Sequence, residues 1–231
     1  MKKRLSKEKS IGKKKSAVVI KKIKHHHDDL REEILEESLK IIYESGISSL
    51  SLRDVARRLN VSHSAPYRHF QGKEEVLLAL GIKGFKLFTE YLNRNLPLGS
   101  SKEEVIIRFE IMRKNYLEFS SDYNTLYHFM FGNNNLKSIQ SPELQKWQEE
   151  AFSTLIRQIA TMRALDLVGD FPVFETAFFC FLVMHGLSTM QNNGVMHHLS
   201  AHFSYDQNMQ EKTMEFLLRS MESVFPITKD K

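Results

Sequence analysis

Between positions 51 and 73 the chain gathers side chains that hydrogen-bond to phosphates and to base edges. His63, Ser64, Tyr67, Arg68 and His69 offer hydrogen-bonding, basic and aromatic side chains of the types that meet phosphates and base edges. Ala65, among them, is small enough to let a backbone approach a base edge or a thymine methyl group. Other reactive constellations are missing: the sequence holds no glycine-rich phosphate loop, nucleophile elbow or His-Glu-x-x-His run. Two histidine groups, His25-His26-His27 and His197-His198 with His202, lack the carboxylate or thiolate partners of a zinc site. No metal and no cofactor are expected. Cys180 is the single cysteine, which excludes an internal disulfide and fits a reducing, cytoplasmic setting. It lies in an apolar run without a neighbouring cation to stabilise a thiolate, and reads as a small buried hydrophobe.

Three short elements must position the polar set. From Asp28, apolar residues at Leu30, Ile34, Leu35, Ile41 and Ile42 recur at helical spacing, and Gly46 followed by Ile47 suggests a Schellman stop. A second helix starts at Ser51, which can cap it with Asp54 three residues on, and buries Leu52, Val55, Ala56 and Leu59. Asn60-Val61-Ser62 then forms a turn. Ser62 is suited to cap a third short helix from His63 to Phe70, whose polar outer face is the set above and whose Phe70 turns inward. Pro66 falls within its first turn, where a proline loses little. Two short helices joined by a three-residue turn on a preceding longer helix have the form of a helix-turn-helix.

The stretch from Ser51 to Leu80, SLRDVARRLNVSHSAPYRHFQGKEEVLLAL, resembles the DNA-binding domain of the TetR family. The likeness spans Leu30 to about Phe85 and is carried by Val55-Ala56, Val61-Ser62, Tyr67-Arg68-His69-Phe70 and Lys73-Glu74-Glu75. It implies phosphate contacts from Ser51, Tyr67, His69 and Lys73, with Arg53, His63, Ser64, Ala65 and Arg68 near base edges. Pro66 departs from the family's usual pattern. Met184-His185-Gly186-Leu187 is similar to a subgroup with a Trp-His-Gly signature, Met184 standing for the tryptophan.

After Gln71-Gly72 a long helix runs from Lys73 to about Asn95. Further helices are expected near Lys102–Ser120, Tyr123–Phe131, Pro142–Leu165, Val173–Gln191 and Gln210–Val224, with no β-alternation competing. The expected fold is all-α: a basic arm over 1–27, a helix-turn-helix domain over 28–84, a helical ligand-binding and dimerisation domain over 85–226 and a tail over 227–231. The first 27 residues hold 11 Lys or Arg against one acidic residue and the remainder 22 against 27, so the net +5 is a basic arm set against an acidic body. Such an arm is solvated or assists phosphate binding. No membrane partner is expected, because the apolar run Ala177 to Met184 is far short of the ~20 residues that cross a bilayer.

The downstream half is rich in Phe and Met. Phe109, Met112, Phe129, Met130, Trp147, Phe152 and His185 are candidates for a pocket that takes a small apolar or amphipathic effector. Phe178, Phe181 and Leu182, with Met214, Leu217, Leu218 and Met221 on the last helix, are candidates for a homodimer seam. Together with the resemblance, these features imply a dimeric, ligand-responsive repressor that binds a near-palindromic operator in double-stranded DNA. A helical carrier or enzyme with an N-terminal docking module, and a protein-interaction adaptor using the aromatic helix, are the alternatives.

Overall fold

The computed structural model describes residues 30–132, 136, 139–195 and 212. Among them every regular element is helical: α1 (Leu30–Ser45), α2 (Leu52–Arg58), α3 (Lys73–Leu92), α4 (Lys102–Asp122), α5 (Asn124–Phe131), α6 (Pro142–Ala164) and α7 (Val173–Asn192). These follow the apolar periodicity to within two residues at the ends of α4 to α7. The last expected helix, Gln210–Val224, lies outside the described residues, and with it Met214, Leu217, Leu218 and Met221. The histidines at 25–27, 197, 198 and 202 lie outside them too.

Local chemistry explains where the helices begin. Ser101 and Glu104 close a reciprocal capping box at the start of α4, each side chain accepting from the other's backbone N–H, at 3.2 and 3.3 Å. Ser141 caps α6, with Pro142 at its first position where no N–H is needed. At the start of α3, Gly72 offers no capping side chain, and the Glu75 carboxylate instead accepts from the Gln71 N–H at 2.6 Å.

Two expected terminations differ. Gly46 has φ 80° but ψ 164°, so it does not close α1 in the left-handed helical conformation; it swings the chain outward into a single 3-10 turn, Ile47–Ser49. The third helix is likewise shorter than its spacing suggests, being one 3-10 turn, Pro66–Arg68, in place of a helix from His63 to Phe70. The cause is Pro66, which lacks the N–H that would reach the Ser62 carbonyl. That carbonyl accepts from Ala65 N–H at 2.9 Å, and the chain continues with Arg68 N–H on the Ala65 carbonyl at 3.2 Å. Ser62 does not cap: its hydroxyl lies 3.3 Å from that of Ser64.

A single apolar core runs through both halves of the chain. Ile34, Leu35 and Ile41 of α1 meet Val55 and Ala56 of α2, Phe70, and Val76, Leu77 and Leu80 of α3. Further along, α3 turns Phe85, Phe88 and Leu92 into the same core, where it packs against α4, α5 and α6. Each fully buried residue of this size contributes roughly 1.5–3 kcal/mol. Helix α3 therefore joins the N-terminal elements to the larger bundle by continuous packing rather than through a loop, and α1 also touches α5 directly.

Candidate nucleic-acid interface and apolar cavity

Helix α2 presents its first turn to solvent. Ser51 is extended, and its side chain accepts from the Asp54 N–H at 3.1 Å, leaving the hydroxyl proton able to donate outward. Asp54 does not complete a capping box. Its carboxylate pairs with Arg57 and, at 3.3 Å, with Arg58, and the hydrogen bond from Arg57 is the first cause holding its pKa below the usual carboxylate value. Arg58 also reaches Glu44 of α1 at 2.7 Å and Glu37 at 3.5 Å. Arg58 ties α2 to α1 and Arg57 pairs within α2, while Arg53 is exposed beside them, so α2 offers a basic edge to a polyanion.

The 3-10 turn carries the rest. Pro66 and Phe70 are buried, Phe70 lying beneath the Arg31 guanidinium at 5.0 Å from its ring centre. This anchors the turn on α1 and leaves His63, Ser64, Tyr67 and Arg68 exposed, with Ala65, His69 and Lys73 partly covered. Tyr67 keeps about half its surface, 49%, in solvent although it is a large aromatic residue. The polar set thus lies along one succession of helix start, turn and helix start. The stacking of Arg31 on Phe70 is not visible in local spacing, because it joins two elements 39 positions apart.

Behind α3, the helices α3 to α7 and the segment between α5 and α6 line an open cavity of about 1170 Å³. Met112, Met130 and Phe152 of the expected set line it. Phe109 and Phe129 are buried in the core, and Trp147 sits under the Lys86 ammonium at 5.1 Å; none of the three is on the wall. His185 stands behind the wall, stacked on Phe181 with ring centres 5.6 Å apart, its Nδ1 2.6 Å from the Tyr127 hydroxyl and 3.4 Å from that of Tyr116. Desolvation, then the nearby His128, lowers its pKa and favours the neutral ring, whose Nδ1 shares a hydrogen bond with the Tyr127 hydroxyl. Phe178 and Phe181, read from the sequence as seam residues, both line the cavity. The sequence reading passed over Phe85, Phe88 and Tyr116, whose helical spacing equally describes core.

The outer side of α7 is unusually apolar. Phe174, Phe178, Phe179 and Leu182 are all exposed, by 57%, 46%, 39% and 49%. By length and composition α7 alone among the described helices could cross a membrane. In this fold its Thr176, Ala177, Cys180, Met184 and Ser188 are buried in the bundle. Burial raises the Cys180 thiol to about 12, so it stays protonated.

Residues 34–80 match the family model described as bacterial regulatory proteins, tetR family. The chain is 36% identical over 53 residues to the HTH-type transcriptional regulator SrpR of Pseudomonas putida, covering 23% of this chain and 25% of that protein. It is 26% identical over 120 residues to the HTH-type transcriptional regulator SAB2452 of Staphylococcus aureus (strain bovine RF122 / ET3-1), covering 50% and 62%. The chain therefore spans a quarter and rather under two thirds of the lengths of these curated relatives. Among solved structures, a Rhodococcus sp. RHA1 protein of unknown function aligns with TM-score 0.69 at 22% identity, over 87% of this chain and 99% of that one. A tetR-family bacterial regulatory protein from Rhodococcus RHA1 aligns with TM-score 0.65 at 15% identity, over 83% and 96%.

Proposed function

We propose that this chain, whose residues 34–80 match the tetR family model, is a DNA-binding transcriptional repressor, working in the cytoplasm as a homodimer that a small molecule releases from its operator. One observation carries the reading: a turn anchored over Phe70 holds Ser64, Tyr67 and Arg68 outward between the capped start of α2 and the start of α3. Side chains so placed enter a groove while Ser51, Tyr67, His69 and Lys73 hold the phosphates on either side. In this reading residues 28–84 bind DNA and residues 85–226 take the ligand and the second subunit. The apolar outer side of α7 supports the pairing, since a two-fold dimer buries the same surface on both chains. Two such subunits address half-sites in successive major grooves of a near-palindrome. The large apolar cavity supports control by a ligand, and DNA and ligand affinities are then reciprocally coupled.

Duplexes selected from a random pool, followed by fluorescence anisotropy at several salt concentrations, test this reading. Lys73→Ala should weaken all duplexes alike and reduce the slope of log affinity against log salt by about 1, the value for one lost phosphate contact. Arg53→Ala should instead change which sequences are preferred. Folded protein that shows no preference among duplexes at low salt, and no slope to lose, would overturn the proposal.

A further inference from the structure

We propose that the cavity between α3 and α7 takes an uncharged molecule built of aromatic rings, and refuses anions and cations of the same shape. The inference rests on the ligand-sensing reading above and adds the chemistry of the occupant. Five helices supply ring walls: Phe85 and Phe88 from α3, Tyr116 from α4, Phe131 from α5, Phe152 from α6, and Phe178 and Phe181 from α7. Some of their planes cross steeply, Phe88 on Phe131 at 77° and Phe152 on Phe181 at 82°, while Phe178 and Phe181 stack at 24°, so both edges and faces line the space into which another ring can insert. Thioethers of Met112, Met130 and Met184 fill the gaps and adapt to irregular ring systems.

Among the described residues the wall holds no countercharge of either sign. No Lys, Arg, His, Asp or Glu is among the described residues that line the cavity. Lys86 is engaged over the Trp147 ring and with Glu143 at 3.3 Å. His185 stands behind Phe131 and Phe181, where desolvation disfavours its charged form. Tyr116 on the wall holds its phenol proton tightly, because burial raises its pKa well above the ordinary value. The start of α6 has the partial positive charge of a helix N-terminus, but the Ser141 side chain caps it and Glu143 occupies its first turn. The polar wall residues Gln140, Ser141, Gln145 and Gln148 are neutral and lie together beside that end, which suits one uncharged hydrogen-bonding substituent. An ion entering this space would lose part of its hydration without gaining a countercharge from these residues.

Two fluorescent probes with the same ring skeleton test the point on the full-length protein: N-phenyl-1-naphthylamine, which is neutral, and 1-anilinonaphthalene-8-sulfonate, which carries an anion. The neutral probe should bind saturably at one per chain, and the sulfonate at least ~100-fold more weakly. Ala151→Trp, which fills the cavity from a buried wall position, should abolish the neutral probe's binding. Gln148→Trp, at a partly exposed wall position that demands no core repacking, should weaken it at least ~10-fold and serves if the first variant does not fold. A sulfonate affinity within ~3-fold of the neutral probe's would overturn the charge exclusion and leave ligand sensing intact. If neither probe binds saturably, ligand sensing in this cavity falls as well. Undiminished binding in both tryptophan variants would place the site elsewhere and overturn the inference.

Discussion

Gly84, midway along α3, tests how closely the linking helix and the cavity wall depend on each other. A Cβ added there would lie 2.6 Å from Met130 Sδ and 2.9 Å from Met130 Cγ, so the thioether must retreat by about 1 Å to reach ordinary contact. Alanine in a helix interior is favoured over glycine by roughly 1 kcal/mol. Displacing Met130 opposes this, at about 0.5–1.5 kcal/mol for a strained rotamer and 1–3 kcal/mol for overpacking in a closed core. Met130 borders the cavity, which gives its side chain somewhere to go, so the smaller cost applies. Gly84→Ala should therefore change stability by no more than about 1 kcal/mol, or roughly 2–4 °C in Tm for a chain of this size. The displaced thioether should meanwhile occupy cavity space and weaken the neutral naphthylamine probe about 10-fold. In a Met130→Ala background the main obstacle is gone, leaving Leu126 Cδ1 at 3.3 Å to give by a few tenths of an ångström, and the same substitution should stabilise by up to about 1 kcal/mol. Thermal melts and probe titrations on the four proteins of this double-mutant cycle read both quantities. A coupling between the two sites below about 0.3 kcal/mol, with unchanged probe affinity, would refute the reasoning.

Two further expectations concern α7. Neutral His185 is favoured in the fold, so its folded pKa lies below the unfolded value near 6.5, and the unfolded chain binds more protons between the two. The stability this group contributes is complete above 6.5 and declines as pH falls through the unfolded value toward the folded one. Urea melts at pH 7.5 and 5.5 should show a larger loss in the parent than in His185→Gln, and equal losses would exclude this account. Leu182→Asp puts a charge on the exposed stripe without touching the core, and should convert a dimer to monomers in sedimentation while leaving the helical CD signal unchanged. A dimer of undiminished strength would remove α7 from the seam.

The N-terminal elements were legible because each keeps its apolar residues on one face: Ile34 with Ile41, Val55 with Ala56, and Val76 with Leu80 are buried as their spacing required. The exception is the turn after Ser62. Spacing placed Pro66 inside a helix starting at His63, as though the missing N–H belonged to an orphan position. In the structure Pro66 is the first residue of the turn, where its fixed φ suits helical entry, and the preceding residues bond three apart instead of four. A proline therefore set the register of the surface that faces outward, and periodicity alone could not show it because the apolar anchor, Phe70, is buried in either arrangement.

The cavity was less legible for a different reason. Phe109 and Met112 lie on one face of α4 at helical spacing and are equally buried, yet Met112 borders the cavity and Phe109 does not. What separates them is the helix each one faces, a long-range fact absent from local pattern. Helix α7 poses the problem most sharply, since its apolar residues point in nearly every direction. Phe178 and Phe181 both reach the cavity, and Phe178 still leaves 46% of its surface outside. An occupant that moves the Phe178 ring must also alter the outer face beside Leu182. If that face is the dimer seam, ligand and partner contacts meet on one side chain, and no relay through intervening residues is needed to couple them.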